Sequence, residues 1–168
     1  MFNVNSRKNW LERLADKIPG LGDYLDRDRR REIDKVLREQ VADRLRHIKT
    51  IPNTVLRDLS DTGRLFEVGP LDRILKKLDK MENRIRFATY GYSGFFDAVK
   101  IDDFELDQIY QFDLTLLDLA EIIEADANVV AAQAGDATTL KAAAAALEKN
   151  IDALDAKFTE RYNKINTI

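Results

Sequence analysis

The chain has no cysteine in 168 residues, which excludes disulfides, thiolate nucleophiles and Cys-ligated zinc or iron-sulfur centres, and agrees with a reducing compartment. It has one histidine, His47, with Arg44 three positions before it, so the paired Glu-x-x-His ligands of a ferritin-like di-iron bundle cannot be assembled. No run of eighteen apolar residues occurs. The first twenty positions carry Arg7, Lys8, Glu12, Arg13, Asp16 and Lys17 where a secretory signal needs an apolar core, and the expected location is the cytoplasm. No convincing strand pattern is present either; the best candidate, Arg64 to Val68, is too short to build a sheet.

What is present is helical periodicity, punctuated by three prolines and seven glycines. Asn5 or Ser6 can cap a short helix carrying Trp10, Leu11, Leu14 and Ile18, ended by Pro19-Gly20. A longer helix is predicted from Asp23, with Ile33, Val36, Leu37, Val41, Leu45, Ile48 and Ile51 at steps of three and four until Pro52 interrupts it. Asn53 to Thr62 reads as a further short helix, with Gly63 as its C-terminal cap. Gly69-Pro70 opens the next, marked by Leu71, Ile74, Leu75, Leu78, Met81 and Ile85 and stopping near Tyr90. Asp102 with Glu105 forms a capping-box pattern before a helix that runs through Ile109, Phe112, Leu116, Leu119 and Ile123 to about Ala134.

Gly135-Asp136 pairs a stop with a start, so the last two helices are expected to fold back on one another. The final helix has the clearest pattern. Leu140, Ala144, Leu147, Ile151, Leu154, Phe158 and Ile165 form a narrow coiled-coil seam, with a skip at Arg161. The expectation is an all-α protein, a single domain over 1–168, built as a bundle of about five helices with a C-terminal antiparallel hairpin over 102–168. A chain of this length buries roughly 70% of its unfolded surface and needs no staples.

Charge is unevenly placed. Residues 1–100 carry 22 Lys or Arg against 16 Asp or Glu, and residues 101–168 carry 5 against 14. Ten acids between Ile101 and Asp136 meet no base. Such a field repels nucleic acid and favours a basic partner, and the nearest basic surface is the chain's own first half. If the two surfaces meet between molecules, the assembly is head to tail.

The candidate chemical sites are weak. Asp103, Glu105 and Asp107 have the alternate spacing of a calcium loop, but Gln108 stands where glycine is required and Leu114 where the closing Glu is required. A helix-start acid cluster explains them better. His47 could meet Ser93 and Asp97 only by an arrangement that nothing in the sequence favours. The basic run from Arg27 to Arg38 is threaded by Asp26, Asp28, Glu32 and Asp34, which neutralise it one turn away. No catalytic residue, metal or cofactor is expected.

Two surfaces are left for binding. Phe2, Trp10, Leu11, Leu14 and Ile18 with the flanking bases could lie in a bilayer interface, peripheral to the membrane, or dock on the bundle. Phe87 to Phe96 is the more unusual stretch, holding five of the fourteen aromatics around two glycines. Tyr90, Tyr92, Phe95 and Phe96, rimmed by Asp102 and Asp103, are the candidate partner-binding residues. Four large rings in seven residues cannot easily all face one core.

The segments Ile18-Pro-Gly-Leu-Gly-Asp-Tyr24, Arg29-Arg-Arg-Glu-Ile-Asp-Lys35, Val68-Gly-Pro-Leu-Asp72 and Ala88-Thr-Tyr-Gly-Tyr-Ser-Gly-Phe-Phe96 together resemble an uncharacterised family of small bacterial all-helical proteins. The likeness spans about residues 7 to 120. It implies a loose association with membrane-stress and SPFH-type scaffold proteins and assigns no catalytic residue. The functional expectation is a non-enzymatic interaction or scaffold protein, self-assembling or bound to a protein partner, with a membrane-surface adaptor as the alternative and a carboxylate-dependent enzyme as the third reading.

Overall fold

The computed structural model describes residues 12–20, 30–88 and 103–166. These form five α-helices, α1 (Arg30–Ile48), α2 (Thr50–Asp61), α3 (Val68–Arg86), α4 (Asp103–Ala132) and α5 (Ala137–Asn166), with no strand among the described residues. A helical segment over 12–17 precedes them, and a short 3-10 turn, Leu65–Glu67, stands where a strand was least implausible. The protein is an all-α bundle with a C-terminal hairpin, as the periodicity predicts.

Four helices form a ring in the order α1, α3, α5, α4, and α2 packs on α1, α3 and α4 near one end. Cross-helix pairs give the directions. Arg38 reaches the Ile85 and Arg86 carbonyls while Lys49 meets Asp79, so α1 and α3 are antiparallel. Lys77 pairs with Asp152 and Lys80 with Asp155, so α3 and α5 are parallel. Asp126 accepts from Asn150 and Asp113 from Arg161, which makes α4 and α5 the antiparallel pair.

Packing carries the stability. Leu140, Ala144, Leu147, Ile151, Leu154 and Phe158 are all buried, so the seam of α5 faces the core along its described length; the side chain of Ile165 lies outside the description. Each large side chain so buried contributes about 1.5–3 kcal/mol. The exposed ion pairs along α3 and α5 contribute about 0–1 kcal/mol each, so their role is alignment of the two helices. The skip at Arg161 is itself core. Its side chain is 0% exposed and its Nε donates to Asp113 Oδ1 at 2.5 Å, filling one layer of the hairpin with an ion pair.

Three boundaries differ from expectation, the simplest being the end of α3, which stops at Arg86 short of Tyr90. Pro52 does not end a helix; α1 stops at Ile48 and Pro52 sits buried in the first turn of α2. A proline there removes only an N–H that has no partner within the helix, and its ring excludes the carbonyl four residues back, so the break moves to Lys49. Pro70 likewise lies at the third position of α3, not the first. No described helix is long and apolar enough to cross a membrane.

Candidate interaction surface at the corner between α2 and α3

The corner begins with a cap. Gly63 has φ +74°, its N–H donates to the Ser60 carbonyl at 3.2 Å, and the Arg64 N–H donates to the Leu59 carbonyl at 2.8 Å. This is the Schellman arrangement, which needs a residue without a Cβ at the left-handed position. The turn then points Arg64 across the bundle. Its guanidinium donates to both oxygens of Glu67 and, through Nη1, to the Ala134 carbonyl at the end of α4, 2.5 Å away. One side chain therefore ties the corner to the hairpin.

On the far side of that tether none of the described residues covers the turn. The 3-10 turn buries none of its residues; Leu65 is 65% exposed and Phe66 is fully exposed. Phe66 stands at the mouth of a cleft of about 250 Å³ between α3 and the start of α5, walled by Pro70, Leu71, Ala137, Leu140 and Ala144, with Glu67 and Lys141 as its polar members. Lys141 is exposed, and no ion pair is formed by it among the described residues. Asp136 caps α5, its Oδ2 accepting the Thr139 N–H at 2.9 Å. That hydrogen bond holds the Asp136 carboxyl below its usual range, because it favours the charged form.

A larger depression of about 390 Å³ lies near the start of α4, lined by Gln108, Gln111, Phe112, Thr115, Lys157 and Lys164. The one aromatic among its described residues is already covered, the Lys157 ammonium lying 5.3 Å from the Phe112 ring centre. The two surfaces differ in this respect: Phe66 presents an uncovered ring, and the depression does not.

Three acids of α4 meet bases of the chain's own first half. Lys17 contacts Asp118 and Glu121, Arg13 contacts Asp118, and Arg44 contacts Glu121 and Glu124. Burial works against the Lys17 charge, but hydrogen bonds to Glu121 and Asp118 hold its ammonium above the ordinary lysine value. The basic first half is thus the partner of these acids, within one chain.

Of the residues singled out from sequence, Tyr90, Tyr92, Phe95, Phe96 and Asp102 lie outside the described residues; Asp103 opens α4, but its side chain lies outside the description. Phe87, the first ring of that aromatic stretch, follows α3 and is 67% exposed. On the N-terminal stripe Phe2, Trp10 and Leu11 lie outside the described residues, whereas Leu14 and Ile18 are 0% exposed. These two are corrected from bilayer-facing to core-facing positions, since a side chain already buried has no apolar surface left to give to lipid. The backbone from Asp103 is α-helix, which cannot serve as the turning loop of a calcium site. His47 is exposed, Ser60 spends its hydroxyl on the Leu56 carbonyl at 2.9 Å, and among the described residues no three His, Cys, Asp or Glu side chains converge.

The Leu65-Phe66 corner was missed in the sequence. Its signal was the pair of large apolar residues directly after the helix-stop glycine, off the period of both flanking helices. Compared with known proteins, the chain matches no family model, no curated protein and no solved structure.

Proposed function

We propose that the protein is a non-enzymatic interaction protein that contacts other protein surfaces through the corner between α2 and α3. One observation carries this reading: Phe66 is fully exposed on a turn held by the Gly63 cap and the Arg64 tether, at the mouth of an apolar cleft. An aromatic ring held on a fixed turn supplies contact area with few rotors to immobilise, which is the property of a binding anchor. The cleft offers shape and apolar contact, and of its two charged members among the described residues Glu67 is held in the Arg64 ion pair and Lys141 has no group beside it to activate it, so it suits recognition better than reaction. The aromatic stretch from Phe87 to Phe96, which follows α3 in the sequence, is the second contact region of the same reading.

The test is Phe66→Ser in the full chain. An exposed ring contributes little to folding, so the melting temperature stays within about 2 °C of wild type, in line with the small effects of surface substitutions in a chain of this size. Proteins joined to the chain by reversible crosslinking in cells should be lost from the variant. Recovery of the same set from folded Phe66→Ser protein contradicts the proposal.

A further inference from the structure

We infer that the occupant of the cleft is a second copy of this chain, docked about a two-fold axis so that Phe66 of each copy enters the cleft of the other. This rests on the reading that the corner is a protein-contact surface, and it names the partner. A two-fold contact uses one patch against itself, so that patch must hold both the projecting group and its receptor. Here both are present side by side, Phe66 as the projection and the space between α3 and α5 as the receptor. The receptor is large enough: an apolar cavity of about 150 Å³ admits benzene, and this cleft measures about 250 Å³. Its walls at Ala137 and Ala144 are small, leaving room for an incoming ring.

Charge agrees with the same geometry. Lys141 flanks the cleft on α5, while at the end of α2 Asp58 and Asp61 outnumber Arg57, and none of the four forms an ion pair among the described residues. Most other charges along the helix seams are satisfied within the chain, Arg44 by Glu124 and Lys77 by Asp152 among them. A two-fold rotation about the Phe66 corner carries the α5 flank of one copy toward the α2 flank of the other, setting cation against anion on both sides. The area sets the strength. One phenylalanine buries about 150–250 Å², well below the roughly 800 Å² per partner of a standard stable interface, so the dimer is reversible and forms at high protein concentration.

The test uses the purified full chain. Sedimentation from micromolar to millimolar concentration should show the mass rising from one chain toward two. Phe66→Ser, which removes the projection, and Ala137→Glu, which blocks the receptor from an exposed position, should each weaken association about tenfold or more while leaving the melt unchanged. A photoreactive phenylalanine at position 66, in a mixture of isotopically light and heavy chains, should give mixed light-heavy adducts joined to the segment 137–144. A constant single-chain mass overturns the inference, as do light-light and heavy-heavy adducts alone, which place the ring in its own cleft, and association that both variants leave intact. If the chain stays single while crosslinking in cells returns a different protein through position 66, the second copy is overturned and the contact-surface reading stands. If position 66 returns no protein at all, both fall.

Discussion

Replacing Asp113 by Ala takes away the carboxylate against which the Arg161 guanidinium is held at 2.5 Å inside the hairpin. Arg161 is 0% exposed and Asp113 nearly so, and water cannot take over the lost contact. Removing one partner of a buried ion pair costs about 3–5 kcal/mol, because the other charge stays buried without it. Set against a total stability of about 5–15 kcal/mol, that is a large fraction of the whole. For a chain of this size each kcal/mol lowers the melting temperature by about 2–4 °C, so Asp113→Ala should melt roughly 6–20 °C below wild type. Arg161→Met should fall in the same range. The double variant Asp113→Leu with Arg161→Met should return to near wild-type stability or exceed it, since an apolar pair of similar volume avoids the desolvation that the ion pair suffers. Urea titrations at constant m-value of wild type, Asp113→Leu, Arg161→Met and their double variant give the coupling energy of the cycle directly. Single variants that each lose less than about 1 kcal/mol, the cost typical of exposed pairs, refute the reasoning and place the pair in contact with water.

Two further outcomes follow from the caps. Gly63→Ala meets no atom within 4 Å, so its cost comes only from the positive φ and should be about 1–2 kcal/mol, measured by urea titration; no loss contradicts the left-handed assignment. Asp136 holds its proton less tightly in the folded chain than in the unfolded one, chiefly through the Thr139 N–H; its stabilising contribution is therefore complete above the ordinary Asp range and is lost as pH falls through the lowered native value. The stability difference between wild type and Asp136→Asn should shrink on acidification from about pH 7 toward the carboxylate range, and a difference independent of pH over that interval contradicts the capping role.

The fold was legible wherever a local rule coincided with the tertiary outcome. The seam of α5 follows its period into the core from Leu140 to Phe158, and Gly63 and Asp136 cap as their residue types require. Reading failed where two rules competed. Pro52 reads as a stop because prolines break helices, but the first turn of a helix tolerates the missing N–H, so the same residue sits in the opening turn of α2. Arg161 read as an interruption of an apolar stripe because periodicity assigns charge to the surface, and only the arrival of Asp113 from α4 makes that position core. The interaction corner was hidden for a related reason. Phe66 carries no periodic signature, and the turn that bears it is tied to the hairpin by Arg64 reaching the Ala134 carbonyl, a contact between residues seventy positions apart.

The most direct test of the contact surface is made in living cells, with a photoreactive phenylalanine placed at position 66 in one strain and at position 129 in another. Val129 is 48% exposed on α4, does not line the cleft, and reports chance encounters. Position 66 should give discrete protein adducts on illumination, and position 129 should give none above the unilluminated background. Equal labelling from both positions, or none from either, contradicts the account.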